Sequence, residues 1–109
     1  MSDFDDYQTA ARETAVYPWH LSCIYPTLGL CGEAGEVAEK VKKIHRDKHG
    51  TPDQSDLEAI EKELGDVLWY LSNIASDMNL SLDHIAKLNL EKLAARAARG
   101  VLHGSGDDR

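Results

Sequence analysis

Two long helical stripes in the middle of the sequence constrain the fold of this chain more than any other feature. From about Pro26 or Thr27 to His49, apolar residues recur at steps of three and four, which is the period of one buried helix face. The same spacing returns from Ser55 to about Asn79. No segment alternates apolar and polar residues as a half-buried strand does. The sequence therefore predicts an all-α domain.

A shorter helix is predicted on each side of this pair. The first runs from Phe4 to Ala15 and ends before a proline, because the residue that precedes proline is disfavoured in a helix. The fourth begins after Ser81, a favourable N-cap residue, and reaches about Arg99. For the third helix, residues 55–58 (Ser-Asp-Leu-Glu) predict a capping box of the S-x-x-E form.

The length of the chain limits it to one domain. We expect a single domain over residues 1–109, folded as a short four-helix bundle. The segment 100–109 contains three glycines and is expected to be a flexible, irregular tail. Because burial is marginal in so small a chain, we also expect a homodimer, with a homotetramer as the next choice.

Charge and cysteine usage exclude several classes of protein. The net charge is −7, which is opposite to the clustered positive charge that a nucleic acid polymer requires. The acidic N-terminus differs from a signal peptide, and no apolar run is long enough to span a membrane. Cys23 and Cys31 form neither a C-x-x-C pair nor a disulfide framework. The expected location is therefore the cytoplasm.

Two short segments place paired carboxylates on the long helices. Glu33 and Glu36 lie three residues apart in the second helix, as do Glu63 and Asp66 in the third. Each pair shares a helix face beside the apolar stripe, so packing the stripes together would bring the four acids to one place. Carboxylates that converge need a cation, and oxygen ligands favour Mg²⁺, with Mn²⁺ as a substitute. The same spacing also occurs on ordinary solvated helix faces, so spacing alone leaves both interpretations open.

The segments around these acids resemble the MazG-like all-α nucleoside triphosphate pyrophosphohydrolases. The shared pattern is E-x-x-E, then 26 intervening residues, then E-x-x-D. The resemblance covers nearly all of the chain from Tyr17 onward. The segments that carry it are 28–39, 62–71, 89–93, 99–100 and 104–109.

The resemblance implies a MazG fold and Mg²⁺-dependent hydrolysis of a nucleoside triphosphate between its α- and β-phosphates. The products are a nucleoside monophosphate and pyrophosphate, and the implied role is housecleaning of the nucleotide pool. Members of the family assemble as dimers or dimer pairs. By the same resemblance, Glu33, Glu36, Glu63 and Asp66 hold the metal. One of these acids, or Glu39 one turn further on, also orients the attacking water, and Glu36 is our choice for that role.

Two alternatives stay open at this point. The same site would also suit dUTP, dCTP or phosphoribosyl-ATP as the substrate. The chain would otherwise be a non-catalytic helical module that pairs with another protein through its acidic surface.

Six further residues are predicted to contact the nucleotide. Two lysines follow Glu36 on roughly the same helix face, and three polar residues of the fourth helix resemble the N-x-x-K segment of the family and its continuation. One tryptophan is our choice to stack on the base. Each also has an ordinary interpretation as a solvated helix end, bundle surface or core packing. The six are Lys40, Lys43, Asn89, Lys92, Arg96 and Trp19.

Overall fold

The computed structural model describes residues 3–108, which form four α-helices and one short 3₁₀ turn. No strand occurs within this range, so the all-α prediction is confirmed. None of the helices described is long and apolar enough to cross a membrane. The elements are α1 (Asp3–Glu13), the 3₁₀ turn (Trp19–Leu21), α2 (Ile24–Lys48), α3 (Gln54–Asp77) and α4 (Leu82–Ala98).

The two long helices, α2 and α3, pack against each other as an antiparallel pair. At one end of the pair the ring of Tyr70 lies directly on the backbone of Gly29, where a Cβ atom would overlap the ring. At the other end Lys48 Nζ lies 2.7 Å from Asp56 Oδ2. These two contacts set the register, and they place the acidic segments of both helices opposite each other near the middle of the groove.

The start of α3 differs from the prediction. The capping box is formed by Asp53 and Asp56, whose carboxylates each accept the backbone N–H of the other residue at 2.9 Å. The helix therefore begins at Gln54, and the box predicted for Ser55 and Glu58 is wrong. Aspartate is as good an N-cap as serine, and Ser55 instead donates its hydroxyl hydrogen to Asp53.

A buried carboxylate at the end of α3 joins three parts of the chain. The side chain of Asp77 is 0% exposed and forms an ion pair with Arg12 of α1 at 2.7 Å. It also accepts the Tyr17 hydroxyl and the backbone N–H of Cys23, both at 2.8 Å. Cys23 precedes α2 with a positive φ of 68° and has no side-chain cap of its own. Asp77 thus supplies an acceptor at the N-terminus of α2 and attaches α1 and the 3₁₀ segment to α3.

The chain exposes far more surface than a compact monomer of its size. Its accessible surface is 7639 Å², whereas a monomer of 12.1 kDa is expected to expose about 6000 Å². Its radius of gyration is 16.8 Å, against about 13 Å for a compact domain of this length. Only a few apolar residues of the described chain are buried: Ala11, Pro26, Ile44, Ala75 and Leu82.

A glycine turns the chain back on itself after α4. Gly100 has a positive φ of 74°, which favours glycine, and Val101 N–H donates to the carbonyl of Arg96 at 3.0 Å. Residues 101–108 then run back along the helix in turns and bends. The carboxylate of Asp107 reaches Arg96 of α4 at 3.2 Å.

Candidate functional site

Three carboxylates meet midway along the groove between α2 and α3. Glu33 comes from α2, and Glu63 and Asp66 come from successive turns of α3. One carboxylate oxygen from each residue lies within 4.8 Å of the others. We call these three residues the acid cluster.

The charges of the acid cluster are not balanced by the protein alone. A hydrogen bond with Glu63, partial burial, and the charges of Glu63, Asp66 and Glu36 raise the pKa of Glu33 from 4.5 to about 7. The Oε2 atom of Glu63 is buried, with no hydrogen-bond donor in the described chain. A proton shared between Glu33 and Glu63, or a bound cation, would relieve this repulsion. A set of carboxylate oxygens fits a hard divalent cation such as Mg²⁺.

Glu36 lies outside the acid cluster. It is exposed, one turn beyond Glu33 on α2, and it affects the cluster through its charge. The structure thus brings together three of the four acids that the sequence selected and leaves the fourth at the edge of the site.

The two lysines predicted to contact phosphates lie along the same groove. Lys40 Nζ is 3.7 Å from Glu63 Oε1, so it partly balances the acid cluster. Lys43, one turn further on α2, joins Lys40 in the wall of a cavity of about 280 Å³. The groove therefore continues from the acid cluster into a cavity that is lined by two lysines and one acid, Asp56.

The other four residues predicted at the site make different contacts. Asn89 lines an apolar cavity between α1, α3 and α4. The charged groups of Lys92 and Arg96 lie 3.1 Å and 3.2 Å from Asp107 of the tail. Trp19 is 85% exposed. None of these contacts involves the acid cluster.

The structure also shows a feature that the sequence did not reveal. Four aromatic residues surround an open cavity at the end of the groove opposite Lys40. One residue of the sequence could have indicated this arrangement. Gly29 lies one turn before Glu33, and because it has no side chain, it leaves space for the Tyr70 ring. The aromatic residues are Tyr17, Tyr25, Trp69 and Tyr70.

Fold and site together define a class: an all-α protein with three clustered carboxylates between two antiparallel helices. The MazG nucleotide pyrophosphohydrolase domain matches residues 26–100, a range that contains the whole acid cluster, and this chain belongs to that family. The chain is also 47% identical over 111 residues to the Gene 37 protein of Mycobacterium phage L5, which covers 96% of this chain and 97% of that protein. No solved structure matches the chain. The family predicted from the sequence is confirmed.

Proposed function

We propose that this protein is a Mg²⁺-dependent nucleoside triphosphate pyrophosphohydrolase. The reaction would consume one water and break the bridge between the α- and β-phosphates, giving a nucleoside monophosphate and pyrophosphate. The observation that carries the proposal is the acid cluster, in which Glu63 Oε2 is buried without a hydrogen-bond donor from the described chain, in a protein of this family. The cellular role would be the removal of surplus or non-standard nucleotides.

Each residue of the groove has a role in this proposal. Glu33, Glu63 and Asp66 hold the metal, which when bound polarises the phosphates and neutralises charge that develops on them. Glu36 at the rim is placed to orient the attacking water. Lys40 exchanges its contact with Glu63 for a substrate phosphate.

Residues beyond this set support the proposal less directly. Lys43 extends the cationic wall toward the leaving pyrophosphate. The roles of Asn89, Lys92, Arg96 and Trp19 as substrate contacts stay predictions from the sequence.

A panel of nucleoside triphosphates with Mg²⁺ tests the proposal, provided that the products are separated. We expect equal amounts of nucleoside monophosphate and pyrophosphate, and loss of the reaction when a chelator removes the metal. Release of orthophosphate together with a nucleoside diphosphate would contradict the proposed bond.

Mg²⁺ binding is expected to weaken below neutral pH. In the metal-free protein the pKa of Glu33 is about 7 instead of 4.5. Between pH 4.5 and 7, Glu33 is therefore mostly protonated in the folded state and mostly ionised in the unfolded chain. The stability that Glu33 contributes is present below pH 4.5 and lost as the pH rises through 7. Mg²⁺ requires the ionised carboxylate, so its affinity should fall about tenfold per pH unit below that pKa.

Thermal unfolding measures this effect. At constant ionic strength, Mg²⁺ should raise the Tm more at pH 8 than at pH 6. An equal increase in Tm at both pH values would contradict the shared proton. NaCl at matched ionic strength is the control for general screening of the acidic surface.

The surface of the chain supports assembly with a second copy. The exposed area exceeds the expected value by about 1600 Å², which is in the range that one subunit buries in an obligate dimer. One face of α2, turned away from α3, is uncovered and carries apolar or small residues at alternating steps of four and three. These residues are Ile24, Leu28, Cys31, Gly35 and Ala38. This spacing suits a parallel or antiparallel helix contact with the same face of another copy.

Replacing Leu28 with glutamate tests this assembly. Leu28 is 68% exposed within one chain, so in a monomer the change would alter stability by less than about 0.5 kcal/mol. In a dimer it would bury two unpaired charges at the interface. We expect sedimentation to show a dimer or tetramer for the unsubstituted chain and a monomer for Leu28→Glu. Ala10→Glu is the control, because Ala10 lies on the exposed side of α1, and this variant should keep the assembly. If the unsubstituted chain is a monomer, the proposal is contradicted.

A further inference from the structure

Two cations near the end of α4 are paired with the chain that follows the helix. Lys92 and Arg96 lie one turn apart on the same face of α4. The Oδ1 atom of Asp107 accepts from Lys92 Nζ at 3.1 Å and from Arg96 Nη2 at 3.2 Å. Arg96 Nη2 also donates to the backbone carbonyl of Asp107. We call residues 101–108, which bring this aspartate back to the helix, the latch.

The hydrogen-bonding capacity of Arg96 is only partly used. Its side chain is 5% exposed, and its Nε atom is buried with no acceptor in the described chain. Burial of a guanidinium is unfavourable unless its N–H groups are bonded. Asp107 supplies acceptors for Nη2 and leaves Nε without one. A buried donor is therefore available for an anion that brings more oxygens to Arg96 than Asp107 does.

The latch is weakly attached to the rest of the molecule. Residues 102–108 are exposed and form turns and bends without a helix or strand. They include Gly104 and Gly106, and glycines leave an open segment many alternative conformations, which opposes its closure. The Asp107 side chain is 83% exposed, and ion pairs in such positions contribute little to stability. The latch can therefore open while α4 stays folded.

A phosphate group suits these two cations better than the aspartate does. Lys92 and Arg96 hold the pKa of Asp107 below its usual range, so the latch presents an ionised carboxylate at neutral pH. That carboxylate meets both cations with one oxygen, Oδ1. A phosphate group carries more charge and several oxygens, so it can accept from Nε and Nη2 of Arg96 and from Lys92 at once. We propose that the latch occupies Lys92 and Arg96 until a phosphate group, of pyrophosphate or of a nucleotide, displaces Asp107.

The latch would regulate two of the residues that the sequence predicts as substrate contacts. While it is closed, Asp107 withholds Lys92 and Arg96 from any other anion. Its opening would make both cations available, and the apparent affinity for the anion would be reduced by the fraction of time that the latch is closed. The effect on turnover rests on the proposed function, whereas opening of the latch requires no hydrolysis.

Calorimetry without metal tests the competition between Asp107 and phosphate. The probes are inorganic pyrophosphate and a non-hydrolysable nucleoside triphosphate analogue. With a latch that is closed about four-fifths of the time, Asp107→Asn should bind the anion about fivefold more tightly. Asp108→Asn is the matched control, because it removes the same charge from a neighbouring exposed aspartate and should leave the affinity nearly unchanged.

The probe that shows the gain identifies the source of the phosphate group. A gain for pyrophosphate assigns the phosphates alone, and a gain for the analogue only assigns the nucleotide. If Asp107→Asn binds neither probe more tightly than Asp108→Asn does, the latch is overturned.

Backbone relaxation in NMR measures the opening itself. In the unsubstituted chain, the probe that binds should lower the heteronuclear NOE of residues 102–108, and in Asp107→Asn this NOE should be low before any probe is added. Lys92→Gln should weaken binding of the probe. Lys87→Gln is its control, because Lys87 is an exposed lysine on the same helix, and it should leave binding unchanged.

Hydrolysis assays separate this proposal from the proposed function. If no triphosphate is hydrolysed but the probes open the latch, the proposed activity fails and the latch stands. If triphosphates are hydrolysed and Asp107→Asn changes neither the affinity nor the NOE, the proposed activity stands and the latch is overturned.

Discussion

Replacing Glu63 with glutamine is expected to lower kcat/KM for Mg²⁺-dependent nucleotide hydrolysis by about 100-fold or more. Glu63 belongs to the acid cluster, and its Oε2 atom is buried without a hydrogen-bond donor from the described residues. An amide in this position offers a weaker ligand and directs N–H groups toward the place where the cation would bind. Steady-state kinetics with pyrophosphate detection measures the loss.

Stability measurements distinguish lost metal binding from lost folding. Glu63→Gln removes one of several repelling charges, so the metal-free Tm should stay the same or rise, while the Tm increase caused by Mg²⁺ should disappear. Glu61→Gln is the matched control, since Glu61 is an exposed acid on the same helix. Full activity in Glu63→Gln, or equal losses in both variants, would contradict the assigned metal site.

Replacing Asp77 with alanine is expected to destabilise the fold by about 3 kcal/mol. Asp77 is buried and bonded to Arg12, Tyr17 and the N–H of Cys23, so its removal leaves three groups without their acceptor. Burial alone would raise the pKa of Asp77, but these three partners outweigh burial and lower it, which shows that the charged form is favoured in the fold. The Tm should fall by about 12 °C or more at a fixed protein concentration.

A surface aspartate provides the comparison for Asp77. Asp47 forms an exposed ion pair with Arg46 at 2.7 Å, and Asp47→Ala should cost less than about 0.5 kcal/mol. Equal Tm values for the two variants would show that the Asp77 contacts contribute little.

The limits of sequence-based prediction differ between elements of this chain. Ser81 was correctly predicted as the cap of α4, and it accepts His84 N–H at 3.1 Å. The predicted cap of α3 was two residues too late, because both Asp53 and Ser55 are suitable N-cap residues. Asp53 is the cap because it forms a capping box with Asp56, and Lys48 donates hydrogen bonds to both carboxylates. Local propensity identifies candidates for a cap, but contacts from outside the helix select among them.

At the candidate site, too, the sequence predicted positions within each helix but not the contacts between elements. Spacing within each helix placed Glu33 on one face of α2 and Glu63 and Asp66 on one face of α3. It did not show whether Glu36 joins them, since that depends on the rotation of α2 against α3. Nor did it show that the tail carboxylate of Asp107 pairs with cations of α4, because the reversal at Gly100 brings together residues that are distant along the chain.

The sequence by itself determined the helical class, the family and the two acidic segments, because helix periodicity and short motifs depend on residues within a few turns of one another. Only the tertiary structure decided which carboxylates meet and where the cavity lined by Tyr17, Tyr25, Trp69 and Tyr70 opens. Both depend on the register between α2 and α3, which is set by the contacts of Tyr70 with Gly29 and of Lys48 with Asp56, and no local pattern encodes a contact between helices.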